Sequence, residues 1–199
     1  MSATLRHAGW VLRGNPVTAV AASGVLLLVL IAAFAPWIVP YDPIASNVQN
    51  ALQPPSAAHW AGTDQLGRDI LSRLIAATRL DLLIAFSAVS ISFAAGAVIG
   101  SFCGYAGGRL DRVVGRFVDV LMAFPLFVLA MAMVAALGNR VENIVIATAF
   151  INLPFYIRFA RAEVNVRRDA GWVEAAQACG DSHLSIVLRF LLPNILPAM

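Results

Sequence analysis

The sequence predicts an all-α polytopic membrane protein, and three observations support that class. Of the 199 residues, 60% are hydrophobic and only 13% are charged, whereas a soluble domain carries about 25% charged residues. The apolar residues gather in stretches close to the ~20 residues that a helix needs to cross a bilayer. All 14 basic residues are arginine, and they fall mostly between these stretches. A soluble, disordered or disulfide-scaffold protein is therefore excluded, and no nucleic acid partner is expected.

The first two apolar stretches carry no charge. The first runs from Val17 to Val39 and the second from Leu82 to Cys103. A cleaved signal peptide is the alternative for the first stretch, but its apolar region exceeds the usual 7–15 residues and Pro36 would follow the cut. Both stretches are therefore predicted to be retained transmembrane helices.

The next two stretches contain prolines. The third runs from Val120 to Gly138 with Pro125 inside it, and the fourth runs from about residue 143 to 160. Asn152 and Pro154 are expected to interrupt the fourth. A last apolar segment, 186–199, predicts the start of a fifth span that the chain does not complete. The expectation is four full transmembrane helices plus the start of a fifth.

The arginines orient these spans. Ten fall on the side that holds residues 1–16, 104–119 and 158–199, and four fall on the side that holds 40–81 and 139–142. The ten are Arg6, Arg13, Arg109, Arg112, Arg116, Arg158, Arg161, Arg167, Arg168 and Arg189, and the four are Arg68, Arg73, Arg79 and Arg140. The positive-inside rule then places the N-terminus in the cytoplasm.

This orientation divides the chain into three parts. Residues 1–40 form a cytoplasmic tail and the first helix, residues 41–81 form an exported loop, and residues 82–199 form the main membrane domain. Within that domain, a cytoplasmic loop is expected at about 165–193.

The exported loop contains an amphipathic pattern from Gly67 to Leu80. Five of its side chains share one helical face, and Asp64 is a candidate N-cap. The five are Ile70, Leu71, Leu74, Ile75 and Thr78. Two interpretations stay open, a helix lying at the membrane surface and a short helix packed on the bundle.

The second span carries a small residue at every fourth position, namely Ser92, Gly96, Gly100 and Gly104. Such a row makes a flat helix face that another backbone can approach closely. We expect it to serve helix packing.

The stretch from Trp172 to Pro193 predicts two short helices. Glu174 to Ala178 favours a helix, Gly180 ends it, and Asp181 or Ser182 caps the next one. On the pattern alone, an ordinary helix–turn–helix loop is one interpretation, and a seat for a partner over the small alanine side chains is the other.

Sites for chemistry are not evident in the sequence. A nucleotide-binding P-loop needs a lysine, and the chain has none. The three histidines are scattered on both sides of the membrane, and Cys103 and Cys179 fit no metal spacing. No catalytic residue, metal or cofactor is therefore predicted.

Three blocks of sequence together resemble the permease subunits of bacterial ABC importers, in particular the C-type subunits of the dipeptide/oligopeptide/nickel family. The first is an EAA loop with Glu174, Ala175, Ala176 and Gly180, then Leu192 and Pro193, with Phe190 where the general motif has Ile. The second is G-T-D-x-x-G-R-D-x-L-S-R, with Thr63, Asp64, Gly67, Arg68, Asp69 and Arg73. The third runs from Gly104 to Pro125 with Asp111, Arg116 and Asp119.

The resemblance implies a multi-pass subunit of the bacterial inner membrane, from a family fold of about six spans, so the chain is expected to be incomplete. It implies a second permease subunit, forming a heterodimer, cytoplasmic ATPase subunits that bind at the EAA loop, and an extracytoplasmic substrate-binding protein. Membrane lipid is the remaining partner. The expected cargo is a di- or oligopeptide, with nickel or another small solute as the alternative.

Two site assignments follow as hypotheses. The segment from Thr63 to Arg73 meets the binding protein or gates the exported side, unless its role is structural. Asn152 and Pro154 line the translocation path, because irregular backbone at depth is tolerated beside a cavity. The rival classes are a membrane scaffold and a membrane-embedded enzyme.

Overall fold

The computed structural model describes residues 14–199, and its regular elements are helices. Helix α1 is Pro16–Ile38. The side chain of Asn15 caps it by accepting hydrogen bonds from the backbone N–H of Val17 (3.1 Å) and Thr18 (3.3 Å). The first predicted span is confirmed to within one residue at each end. Arg6 and Arg13, on which the cytoplasmic assignment of the N-terminus partly rests, lie outside the described residues.

Helix α2 is Ile70–Ala106, a single element of 37 residues. It joins the predicted amphipathic segment to the second span, so the prediction of a separate short helix from Gly67 to Leu80 is wrong. No glycine or proline lies between Ile70 and Ala95 to end the helix. The cap is also different from the one predicted, because Asp69 rather than Asp64 accepts from the N–H of Ser72, at 2.7 Å.

The predicted third span is broken in two. Helix α3 is Gly108–Ala123, helix α4 is Leu126–Leu137, and the chain bends by 95° between them. The break falls at Phe124 and Pro125, since a residue before proline is driven out of the helical conformation. At 1.5 Å per residue, the 12 residues of α4 extend only about 18 Å, less than the ~30 Å apolar core of a bilayer.

Helix α5 is Val141–Arg167 and contains the predicted fourth span. The expected interruption at Asn152 and Pro154 is wrong, because the helix continues through both residues. Among the described residues, three helices (α1, α2 and α5) are long and apolar enough to cross a membrane, or four if the bent pair counts as one. The all-α polytopic class is confirmed.

Two more helices complete the chain. Helix α6 is Gly171–Ala178, and α7 is the apolar segment His183–Ala198. The winding of α7 changes along its length, with a π-helical turn at Ile186–Leu191 and a 3-10 turn at Leu196–Ala198. In the π turn, the N–H of Leu192 donates to the carbonyl of Val187, five residues back.

The chain divides into two compact units, Met1–Leu83 and Ile84–Met199. The first contains α1, a 3-10 turn at Val48–Asn50 and the start of α2. The second has a buried core to which α5, α6 and α7 all contribute. That core holds the candidate site.

Candidate functional site

Helix α6 is anchored by its inner face. Val173 is fully buried and Ala176 is 7% exposed, and a spacing of three residues places both on one side of a helix. They belong to one buried cluster with residues of α5 and α7. Its other members are Ala160, Val164, Ile186, Val187, Leu191 and Ile195. A helix of only eight residues is marginally stable by itself, so packing against α5 and α7 is what stabilises α6.

A glycine ends α6, as predicted. Gly180 has φ of +84°, a left-handed conformation that costs other residues about 1–2 kcal/mol. The N–H of Asp181 donates to the carbonyl of Ala176 (3.1 Å), and that of Gly180 donates to Gln177 (3.0 Å). These two bonds form a Schellman motif. Ser182 then caps α7 by accepting from the N–H of Ser185, at 3.2 Å.

The residues of the predicted EAA set do not share one environment. Glu174, Ala175 and Gly180 are exposed, whereas Ala176 faces the core. Of the two later members of the set, Leu192 packs partly buried against the core and Pro193 is exposed. The exposed side of α6 therefore presents Glu174 and Gln177 beside small alanines, with Trp172 39% exposed, and it lies on a helix seated in the core.

Tyr105 connects α6 and α7 to the end of α2. Its hydroxyl lies 2.9 Å from Nδ1 of His183 and accepts a hydrogen bond from Nε2 of Gln177 at 3.2 Å. These side chains line a cavity of about 520 Å³ together with Phe102 and Arg168. Sequence reasoning missed this network, because Tyr105 and His183 are 78 residues apart.

The row of small residues in α2 lies against α5. A Cβ atom added at Gly100 would come within 2.5 Å of the carbonyl oxygen of Ile157, and one at Gly104 within 2.9 Å of that of Arg161. Gly96 and Ser92 belong to the same buried row. The two backbones therefore approach as closely as glycine permits.

Helix α3 is tied to α5 by two ion pairs. Arg161 donates from Nε and Nη2 to the two carboxylate oxygens of Asp111, and Arg158 pairs with Asp119. Neither pair was predicted from the sequence. The sequence shows the charged residues of each helix, but the two members of a pair are 39 residues apart for Asp119 and Arg158 and 50 residues apart for Asp111 and Arg161.

The predicted exported segment folds around Asp64. One carboxylate oxygen of Asp64 accepts from the N–H of Leu66 (2.8 Å) and Arg68 (3.0 Å), and the other accepts from Nε of Arg68 (2.8 Å) and from Arg73. Burial raises the pKa of Asp64, but these hydrogen bonds and the Arg68 charge outweigh it and lower the pKa to about 2. Asp64 thus organises the turn that precedes α2.

Asp69 and Thr63 close the same loop. Asp69 accepts from the N–H and hydroxyl of Ser72 (2.7 and 2.6 Å) and lies 3.0 Å from Nδ1 of His59. Burial raises the pKa of Asp69, but these hydrogen bonds outweigh burial and hold the pKa below its usual range. The Thr63 hydroxyl donates to the carbonyl of Asn50. At Gly67, any Cβ would overlap the carbonyl of Asn47. The side-chain oxygens of Thr63, Asp64 and Asp69 therefore form their hydrogen bonds within the loop and the first turn of α2.

Two family descriptions match the chain. Residues 96–199, which include the ion pairs, the Tyr105 network and α6, match the binding-protein-dependent transport system inner membrane component family. Residues 4–55 match the N-terminal TM domain of oligopeptide transport permease C.

The chain is also similar to several permease proteins. It is 37% identical over 190 residues to a probable D,D-dipeptide transport system permease protein of Escherichia coli (strain K12), covering 96% of this chain and 64% of that protein. It is 41% identical to a di/tripeptide transport system permease protein of Pseudomonas aeruginosa (strain UCBPP-PA14), over 85% of this chain and 58% of the relative. It is 38% identical to the nickel transport system permease protein of E. coli (strain K12), over 88% and 63%.

The chain therefore spans somewhat less than two thirds of the length of these relatives. The family match covers more than half of the chain, from Gly96 in the last third of α2 to Met199. The chain belongs to the family of inner membrane components of binding-protein-dependent transport systems.

Proposed function

We propose that the chain is a permease subunit of an ATP-binding-cassette importer and that the exposed face of α6 docks a separate cytoplasmic ATPase. The observation that carries the proposal is the seating of α6, with Val173 and Ala176 fixed in the core and Glu174 and Ala175 exposed. A helix held this rigidly moves as one body with the core of α5 and α7. Force applied to its outer face is therefore passed to membrane helices. The lack of any lysine, and hence of a P-loop, agrees with ATP hydrolysis on a partner chain.

The test blocks the face without disturbing the core. Ala175→Arg places a long cation on the exposed side of α6, and Ala162→Arg makes the same change at an exposed position of α5. We expect Ala175→Arg to abolish co-purification of the ATPase and substrate-stimulated ATP hydrolysis, and Ala162→Arg to leave both near their original values. Equal capture of the ATPase by both variants would contradict docking on α6 and would favour the scaffold alternative.

The proposed cargo is a small peptide. Two of the relatives described above are named for di- or tripeptides and one for nickel, so nickel is the second candidate. Uptake of a labelled dipeptide and of nickel by cells that carry the complete importer distinguishes them. Dipeptide uptake that is lost on deletion of this subunit supports the proposal, and loss of nickel uptake alone contradicts it.

The remaining assignments complete the proposal. A second permease subunit pairs with this one as a heterodimer, and a substrate-binding protein delivers cargo on the exported side. The N-terminus is cytoplasmic, on the arginine distribution. Asn152, half-buried in α5 with its amide donating to the carbonyl of Thr148 at 2.9 Å, and Pro154 beside it are proposed to line the path.

For the segment from Thr63 to Arg73, the hydrogen bonds within the loop favour a role in shaping the exported surface. In this proposal, the binding protein touches the surface that the loop presents rather than the carboxylates of Asp64 and Asp69. Asp64→Asn is therefore expected to impair loop folding before it impairs capture of the binding protein. Crosslinking from Gln65, an exposed residue of this turn, checks whether the binding protein reaches the loop at all.

A further inference from the structure

Helix α3 has three distinct faces, and only one of them is used inside the second unit. The face toward α5 contains Gly115 and Val118, which are buried, and Asp111, which pairs with Arg161. The guanidinium of Arg161 also lies against Gly115, where an added Cβ would come within 2.7 Å of it. The other two faces of α3 are exposed.

The second face is a stripe of arginines. Arg109, Arg112 and Arg116 are all exposed, and their spacing of three and four residues places them along one side of the helix. Within the described part of the chain, none of the three forms an ion pair, and the neighbouring acid, Asp119, is paired with Arg158. The stripe thus carries three positive charges that nothing described here neutralises.

The third face is apolar and borders the arginine stripe. Its side chains are Leu110, Val113, Phe117 and Val120, which are 51%, 67%, 54% and 59% exposed. A helix with an apolar face beside a basic one has the composition of a helix that lies in the interface of a membrane.

Within the second unit, α3 crosses the helices on which it packs, as a helix lying in a membrane interface would. Helix α4 is linked to α5 by only three residues and packs against it, so the two run antiparallel. The chain bends by 95° between α3 and α4, and α3 therefore lies nearly at right angles to that pair. The ion pairs agree with this crossing. Asp111 and Asp119 are about 12 Å apart along α3, whereas their partners are only about 4.5 Å apart along α5.

We propose that α3 binds anionic phospholipid, with its apolar face in the acyl-chain boundary and its arginine stripe on the phosphate headgroups. The argument is charge complementarity, since three unneutralised cations beside an apolar face match a surface that is negatively charged above an apolar layer. A basic residue near an anionic membrane surface contributes about fivefold to binding. The stripe is therefore a lipid site distinct from the ATPase face of α6.

The test measures lipid selectivity of the membrane-embedded chain. The protein is equilibrated in vesicles of equal phosphatidylglycerol and phosphatidylcholine content and extracted in mild detergent, and the retained lipids are measured by mass spectrometry. We expect phosphatidylglycerol to be enriched. Replacement of two stripe residues, R109Q/R116Q, is expected to lower the enrichment by up to about fivefold per arginine removed.

Two control variants separate charge at this site from charge in general. R109K/R116K keeps the charges and should keep the enrichment. R79Q/R140Q removes two exposed arginines elsewhere and should also keep it. An unchanged enrichment in R109Q/R116Q, or an equal loss in R79Q/R140Q, would overturn the proposal. In a preparation of the complete importer, loss of the second permease subunit or of the ATPase from R109Q/R116Q, with lipid retention unchanged, would also overturn it and would assign the face to a protein partner.

Discussion

Replacing Gly100 by alanine tests how closely α2 and α5 are packed. The added Cβ would lie 2.5 Å from the carbonyl oxygen of Ile157 and 2.8 Å from the Cβ of Ala160. Ordinary contact begins at 3.4 Å, so the backbones must separate by about 0.9 Å. A backbone carbonyl cannot rotate away as a side chain can, and overpacking of this kind costs about 1–3 kcal/mol. Gly24→Ala is the matched control, since nothing lies within 4 Å of that site in α1.

The assay is equilibrium unfolding of the purified chain in mixed micelles, with helix content followed by circular dichroism as denaturing detergent is added. Overpacking at Gly100 costs about 1–3 kcal/mol, and alanine's preference for a helix over glycine returns about 1 kcal/mol. We therefore expect Gly100→Ala to lower the free energy of unfolding by up to about 2 kcal/mol, and Gly24→Ala to leave it unchanged or slightly raised. Equal unfolding curves for the two variants would refute the close approach of α2 to α5.

Three further predictions concern the site and the loop. Gly180→Ala should destabilise the end of α6 by about 1–2 kcal/mol because of its positive φ, and Gly180→Asn by less; hydrogen exchange of α6 amides measures both. Asp111→Asn leaves the half-buried Arg161 without its charged partner and should cost about 1.5–3 kcal/mol in the unfolding assay. The stability that Asp64 gives the loop should be complete above its ordinary pKa of 3.8 and be lost as pH falls toward 2, as read by proteolysis of the loop by pepsin.

A specific experimental result would contradict each of these three predictions. Exchange rates for Gly180→Ala equal to those of the unsubstituted chain would show that the positive φ at this residue does not stabilise the end of α6. Arg140→Gln breaks an exposed pair of 3.6 Å and should change stability by less than about 0.5 kcal/mol, so an equal cost for both ion-pair variants would contradict the special role of Asp111. Asp64→Asn should remove the acid transition assigned to that residue, and a transition that persists in this variant would exclude Asp64 as its source.

Local features of the fold were predictable where chemistry acts over a few residues. The length of α1 followed from apolar composition, the stop at Gly180 from glycine's access to positive φ, and the cap at Ser182 from its side-chain oxygen. The positions of the prolines did not by themselves predict where a helix breaks. Pro125 breaks the chain by 95°, whereas Pro154 lies within a continuous helix, and the packing that decides between these outcomes is not visible in the sequence.

The site could be predicted only in part, for the same reason. The EAA pattern located α6, but which residues of it face the core depends on α5 and α7, so Ala176 turned inward while Ala175 did not. Tyr105 and Arg161 were missed as anchors because their partners are distant in sequence. Contacts of this kind are created by the tertiary fold, and no local propensity encodes them.

The π turn at Ile186–Leu191 is a point at which the two parts of α7 can change their relative rotation. It holds one residue more than an α turn needs, and it includes residues that seat α6 in the core. If the N–H of Leu192 donated to the carbonyl of Leu188 instead of that of Val187, the π turn would become an α turn and the helix would lose its one extra residue. Everything after it, from Pro193 onward, would turn by about 100° around the helix axis. The segment from Pro193 onward would then rotate by re-pairing hydrogen bonds rather than by unwinding, but the rotation would take the buried Ile195 out of the core that seats α6.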